Sequence, residues 1–272
     1  MVRSLEVQIW SDIACPWCYV GKRHWEAALR EFEHADAVRL RWRSFELDPS
    51  ARTAKLDPSA RTAKLDPSAR AVTSDDDYVG RLAKKYGTTH EQAQAMIDRM
   101  VGVASQAGIE MRFDRIRSGN TFDAHRLLHL AHERGRQNEL KERLLRAYFC
   151  EGALMSDGAT LASLAGEVGL DVEEASFVLN SDAHAAEVRT DEATARQLGI
   201  NGVPFFVIGH YGVSGAQPAA VLGQVLRKAW ADARAEDDAP NADAASTEDT
   251  ASADAASTDD AAPGCDGDSC AV

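Results

Sequence analysis

The sequence predicts an α/β fold interrupted by a large all-helical insertion, on three observations. Residues 5–45 read as strand, helix, strand; the run from Tyr78 to Gly199 is helical throughout; and the apolar segment Phe205–Ile208 restores a strand pattern before a last amphipathic helix. Strand, helix, strand within about 40 residues is a βαβ unit, whose crossover is right-handed and whose strands are parallel. A chain of 272 residues, 44% of them hydrophobic, is long enough for one large soluble domain or two small ones.

Each element has a local reason. Leu5, Val7 and Ile9 alternate with Glu6 and Gln8, the two-residue period of a strand, and Trp25, Leu29 and Phe32 then recur at helical spacing. Val38, Leu40 and Trp42 alternate with Arg39, Arg41 and Arg43, which gives a second strand ending near Phe45. Its arginine row predicts a solvated face on a strand that is at the sheet edge, or partly covered, rather than buried on both sides. The nine residues Leu47–Lys55 then recur unchanged at Leu56–Lys64, and a third copy begins at Leu65. So little apolar content leaves nothing to stack, so residues 47–74 are expected to form a surface loop.

Helical patterns follow at Tyr78–Tyr86, Glu91–Ala107, Phe122–Glu133, Glu139–Cys150, Leu161–Val168 and Ala185–Leu198, punctuated by glycines such as Gly87, Gly108 and Gly135. Residues 75–199 are thus an inserted helical subdomain, and residues 1–46 with 200–235 are the α/β domain that it interrupts. Inside the insertion Cys150 reads as a core residue. His125, His129 and His132 share a helix face but lack the carboxylate spacing of a known metal motif, so packing is their expected role and no metal is assigned. Gly202-Val203-Pro204 opens the third strand, with Tyr211–Val213 as a hairpin partner. Pro204 stands at a strand start, where proline is tolerated, and X-Pro bonds are the ones that can be cis. A final helix over about Pro218–Arg234 carries Val221, Leu222, Val225, Leu226 and Trp230 on one side.

From Glu236 onward alanine, aspartate, serine and threonine dominate. This segment holds 11 of the 43 acidic side chains and none of the 30 basic ones, so the net charge of −13 belongs largely to it. The remainder is nearly neutral and has no basic surface for nucleic acid. A segment so polar cannot bury enough apolar surface to offset its ordering entropy, so 236–272 is expected to be a disordered acidic tail. No stretch approaches the roughly 18 apolar residues of a membrane span. Met1-Val2-Arg3-Ser4 leads into the first strand without a secretory h-region. The expectation is a cytoplasmic protein with neither nucleic acid nor membrane as partner, in a compartment where a cysteine pair is catalytic rather than structural.

The chemistry is concentrated in Cys15-Pro16-Trp17-Cys18, between the first strand and the first helix. Two thiols three positions apart on a helix's first turn are close enough to form a disulfide, and the positive end of the helix favours a thiolate there. Pro16 suits the first turn, where its missing N–H costs nothing. Cys15, at the exposed tip, is expected to attack; Cys18, one turn in and more covered, is expected to resolve the mixed disulfide. The same spacing is also half a zinc site. Structural zinc needs four ligands, and only Cys265 and Cys270 in the tail offer a second pair.

Several further motifs stand in the same order as in a known family. Trp17-Cys18-Tyr19-Val20-Gly21, Ser44-Phe45-Glu46-Leu47, Asn120-Thr121 with Ala124-His125, Gly202-Val203-Pro204 and Ser214-Gly215-Ala216-Gln217-Pro218 resemble the FrnE group of the DsbA-like thioredoxin-fold superfamily, over roughly residues 5–234. The resemblance implies a thioredoxin-like fold whose helical insertion caps the active site. It implies a thiol–disulfide oxidoreductase or isomerase with Cys15 as nucleophile and Cys18 as resolving thiol. Pro204 would be a cis-proline against the disulfide, and Val203 would present backbone groups to an extended substrate. Pro16, Trp17, Asn120, His125 and Gln217 are candidates for the cleft. The redox-active disulfide needs no bound cofactor; glutathione is a candidate co-substrate. The partners would be thiol- or disulfide-containing proteins or small disulfides.

One departure concerns the position six before the nucleophile, where many thioredoxin-fold redox proteins carry a buried carboxylate. Here it is Ile9. The proton acceptor for Cys18 is therefore unassigned, with Asp12 or a water as candidates. The other departure is the tail. A flexible linker of about 30 residues spans roughly 30 Å and holds its tip at millimolar effective concentration. Cys265 and Cys270 are therefore a candidate second redox pair, relaying electrons to Cys15 and Cys18. Two rival functions share these residues: a glutathione-dependent transferase or 2-hydroxychromene-2-carboxylate isomerase, in which serine commonly replaces the first cysteine, and a metal-binding module built from four cysteines.

Overall fold

The computed structural model describes residues 4–51 and 78–238. Most of the nine-residue repeats lies outside the described residues, as do Cys265, Cys270 and the acidic tail from residue 239. Met1–Glu236 forms one compact unit and Asp237–Val272 a second, of which only residues 237 and 238 are described.

The four strands β1 (Leu5–Ser11), β2 (Val38–Ser44), β3 (Phe205–Ile208) and β4 (Tyr211–Ser214) form one sheet in the order β2-β1-β3-β4. β1 and β2 run parallel, in register from Leu5 beside Val38 to Ser11 beside Ser44, joined by helix α1 (Pro16–Arg30). β3 returns antiparallel on the other side of β1, with Ile9 beside Phe206, and β4 closes the hairpin. The strands alternate as a two-residue period requires. Val7, Ile9 and Phe206 pack with Trp25 of α1, with Phe32 just after it and with Leu222 and Leu226 of α9 (Ala219–Asp238), while Trp10 packs with Ala195 and Ile200. β1 is thus covered on both faces and fixes the loop that follows it.

The inserted helices are α2 (Tyr78–Tyr86), α3 (His90–Gln106), α4 (Phe122–Glu133), α5 (Gln137–Arg146), α6 (Gly158–Glu167), α7 (Val172–Asn180) and α8 (Ala185–Gln197). The apolar faces of α2–α7 meet in a second core around Leu127, Leu140, Leu144, Phe149 and Leu161, which Ile13, Tyr19 and Val20 of the first βαβ unit also enter, while α8 packs on Trp10 through Ala195. The insertion therefore shares its core with the start of α1.

Three sequence expectations change here. The helix read over Glu139–Cys150 is α5 followed by a π turn at Ala147–Glu151. Gly152 ends that turn at φ 74°, where a Cβ would stand 2.5 Å from the Arg115 carbonyl oxygen. Helix α7 was not anticipated, although Asp171 gives the signal: its carboxylate accepts the Glu174 N–H at 2.7 Å. The arginine row of β2 is not uniformly solvated. Arg43 donates to Gln8 at 2.8 Å and to Asp191 of α8 at 2.8 Å, because the insertion covers that part of the edge strand. Gln137 completes the cover: its amide exchanges two 2.9 Å bonds with the Trp42 main chain, as a neighbouring strand would.

Candidate active site

The site begins where β1 ends. The turn Asp12–Ala14 brings the chain into α1 with Cys15 at the N-cap and Pro16 in the first turn, so no helical N–H is lost to proline. Both cysteines are free thiols. Cys15 is 4% exposed rather than standing at an open tip, a correction to the sequence reading. Its thiol lies against the loop before β3 and donates to the Val203 carbonyl at 3.4 Å. The Val203–Pro204 peptide is cis, and Pro204 packs so close to α1 that a Cβ on Gly21 would stand 3.0 Å from its ring.

Cys18 is completely buried behind Cys15. Burial pushes its thiol well above the ordinary range, and the hydrogen bond and charge of Cys15 push the same way; the Lys141 ammonium opposes them. The two sulfurs therefore differ in access: one faces a groove, the other can reach only its neighbour.

Asp12 organises the turn. Its Oδ1 accepts from the Ala14 N–H and from His125 Nε2, each at 3.3 Å, and its Oδ2 accepts the Leu47 N–H at 2.8 Å. Burial raises its carboxyl, but the hydrogen bond and charge of His125 and the Leu47 N–H outweigh that and hold it below the ordinary carboxylate value. Asp12 stays ionised and ties β1, the segment after β2, and α4 together beneath the cysteines.

A groove of about 820 Å³ opens over Cys15. One wall is Pro16, Trp17, Gly202 and Val203; the other comes from the insertion, with Tyr78 and Leu82 of α2 and Met96 and Met100 of α3. Trp17 is 47% exposed at its mouth. Arg81, Lys84, Lys85 and Arg99 also line it, against one carboxylate, Asp48, so the lining combines apolar side chains with an excess of basic ones. That the insertion caps the site is what the family resemblance implied; which of its residues form the wall was hidden, because an amphipathic helix does not announce which part of its surface will face a cleft.

Asn120, His125 and Gln217 do not line this groove. Asn120 is consumed in structure: its amide donates to Glu46 at 3.1 Å and to the Pro49 carbonyl at 3.3 Å, and its oxygen accepts the Phe122 N–H at 2.8 Å. His125 is buried on Asp12. Gln217 sits in the turn between β4 and α9, its amide on the Ser214 carbonyl and its own carbonyl 2.9 Å from His24 Nδ1. Nor do the histidines of α4 converge, since His129 turns to Ser44 and Asp191 instead. Among the described residues no group of three His, Cys, Asp or Glu could hold a metal, and no helix is long and apolar enough to cross a membrane.

The family model for a DSBA-like thioredoxin domain matches residues 6–227. YwbO of Bacillus subtilis, an uncharacterised protein, is 31% identical over 232 residues, covering 82% of this chain and 96% of that one. Among solved structures, a probable DsbA oxidoreductase from Streptomyces coelicolor is 44% identical with a TM-score of 0.72, covering 84% of this chain and 91% of that one. The cytosolic disulfide reductase DsbM of Pseudomonas aeruginosa shares the fold at 15% identity and a TM-score of 0.52, over 85% of this chain and 98% of that one.

Proposed function

The chain belongs to the DSBA-like thioredoxin domain family, and from that premise we propose that it is a thiol–disulfide oxidoreductase in which Cys15 attacks and Cys18 resolves. The observation that carries the reading is the asymmetry of the pair: Cys15 lines the groove with its Sγ bonded to the cis-proline loop, and Cys18 is completely buried and does not line it. In the reducing direction the Cys15 thiolate attacks one sulfur of a substrate disulfide and the other leaves as a thiolate. Cys18 then attacks Cys15 Sγ, the Cys15–substrate bond breaks, and the Cys15–Cys18 bond forms. Two electrons pass to the substrate, and an external thiol restores the pair. A cytoplasmic setting, with glutathione or a similar small thiol as co-substrate, would supply that reductant.

The groove's volume suits a few residues of extended polypeptide or a small disulfide. Its apolar lining and excess of basic side chains favour disulfides flanked by apolar and acidic groups. The test is dithiothreitol-driven reduction of insulin. Catalysis of precipitation by the wild type is the expected result; no acceleration, with glutathione conjugation or isomerase activity in its place, overturns the reading.

The tail pair extends the proposal on sequence grounds alone. Cys265 and Cys270 relay electrons to the active-site disulfide, and the double variant Cys265→Ser/Cys270→Ser is expected to slow its reductive recycling by about tenfold, the scale that tethering supplies. A tail disulfide that persists while Cys15–Cys18 is reduced and reoxidised through turnover overturns the relay.

A further inference from the structure

Lys141 is the buried ionisable group that the exchange reaction above leaves unused. It is completely buried, and its Nζ has no hydrogen-bond partner among the described residues. A buried amine left so is costly, since the charged form loses its hydration and gains no partner in return. Its placement is tightly specified all the same. Gln137, one turn earlier on the same face of α5, is bonded to the Trp42 main chain, and the Trp42 ring lies 5.5 Å from Lys141 Nζ. Glu142, the next residue, takes Lys22 at 2.9 Å and the Tyr19 hydroxyl at 2.8 Å, both on α1, and pairs with Arg23 as well. Helix α5 is thereby clamped to β2 and to α1, and Lys141 is carried between them.

The titratable groups whose charges act on the amine are Cys18 and Lys22 of α1, Cys15 at its N-cap and Asp12 in the turn before it, and the Glu142–Tyr19 bond joins the residues next to Lys141 and Cys18. β2 contributes the neutral Trp42 ring. Lys22 is already engaged with Glu26 and Glu142, and Asp12 with His125 of α4 and two main-chain N–H groups. Among these groups Cys18 is the one with a proton to give up during the reaction; His125, whose buried Nδ1 is also unpartnered, does not figure among the groups acting on Cys18.

We propose that Lys141 is the proton acceptor for Cys18: the neutral amine takes the Sγ proton as Cys18 attacks Cys15, and the ammonium returns it when the disulfide is reduced. The inference rests on the exchange reaction of the preceding subsection. Its balance is complete: the substrate–Cys15 bond breaks, the Cys15–Cys18 bond forms, the substrate leaves as a thiolate, and the proton resides on Nζ. Two further facts agree. Burial brings the Lys141 amine down to about 8, against the pull of Cys18 and Asp12, so the neutral form is accessible near physiological pH. Asp12 is a poor base for a thiol, because its partners hold it below the ordinary carboxylate value.

The test uses the full chain and a chromogenic aryl disulfide, which releases one thiolate when Cys15 attacks and a second when Cys18 resolves. For the wild type, the second phase is expected to rise with pH and level off near the Lys141 pKa. In Lys141→Met the second phase should slow by about 10- to 100-fold at neutral pH, the range of lost general-base catalysis, and lose that plateau, while the first phase changes less than about threefold. Lys141→Arg, which keeps the charge but cannot accept a proton, should be slow as well. Rescue by Lys141→Arg, an equal loss in both phases, or an unchanged second-phase pH profile each overturns the assignment. A wild type without any first phase would instead sink the oxidoreductase reading. In that case Lys141 is judged by titration of Cys18 in a Cys15→Ser background, where the Lys141→Met change should raise the thiol by about one unit or more and no rise overturns it.

Discussion

Cys15→Ser is expected to abolish disulfide exchange, with insulin reduction falling by about 10³-fold or more, the scale of losing a covalent nucleophile. Cys15 is the cysteine that lines the groove, and Cys18 is fully buried, so Cys18 cannot take over its partner's work. A serine hydroxyl fits the place and keeps a hydrogen bond to Val203, but it is not ionised at any pH the protein survives. The fold should be unaffected, which circular dichroism and the unfolding midpoint check. Cys18→Ser separates the two roles. There Cys15 still attacks, nothing resolves the product, and the variant should accumulate mixed disulfides through Cys15, visible on non-reducing gels and removed by dithiothreitol. Glutathione conjugation or isomerase activity that survives in Cys15→Ser would point to the transferase or isomerase reading, since those reactions dispense with a redox pair. Loss of trapping in Cys18→Ser would reverse the assigned order of attack.

How much of this was legible in the residues can be argued from particular positions. The Cys15–Cys18 motif, the strand–helix–strand start and Pro204 are local patterns, and local patterns survive in a single sequence. So did the edge position of β2, because arginines at every second residue do not belong in the middle of a sheet. The depth of Cys15 was misread because its cover comes from Val203, nearly two hundred residues away. Lys141 was invisible for a similar reason. In Leu140-Lys141-Glu142-Arg143-Leu144 it reads as one more charge on a solvated helix, and only the docking of Gln137 onto Trp42 turns that face inward. Asn120 and His125 erred in the opposite direction. Both belong to motifs that carried the resemblance, yet Asn120 bonds Glu46 and Phe122 and His125 Nε2 bonds Asp12, which hold the site's supporting loops rather than line its groove.

Asp191 is the clearest case of a residue that sequence hides and packing makes important, and Asp191→Ala should destabilise the protein by about 3–5 kcal/mol, the cost of removing one partner from a buried charged network. From α8 its carboxylate accepts the Ser44 N–H at 2.9 Å, Arg43 Nη1 at 2.8 Å and His129 Nε2 at 3.2 Å, so it joins β2 and α4 to the end of the insertion. Alanine would take this acceptor from the Ser44 N–H and leave Arg43 with Gln8 and His129 with the Ser44 hydroxyl as their remaining partners. The pH dependence follows from the direction of its shift. Burial raises the carboxyl, but the hydrogen bond to His129, the Ser44 N–H and the charges of His129 and Arg43 prevail, and it sits below the ordinary aspartate value. A carboxyl whose folded pKa lies below its unfolded one contributes stability that is fully present above the unfolded value and is lost as pH falls through the folded one. Urea unfolding of wild type and Asp191→Ala should therefore differ most at neutral pH and converge in acid. A gap that stays constant down to strongly acidic pH would mean that the loss comes from packing, and that the charged network contributes nothing of its own. Because Asp191 touches neither cysteine, the variant's disulfide exchange, measured where it remains folded, should match the wild type within about twofold, as expected for a site with no shared partners.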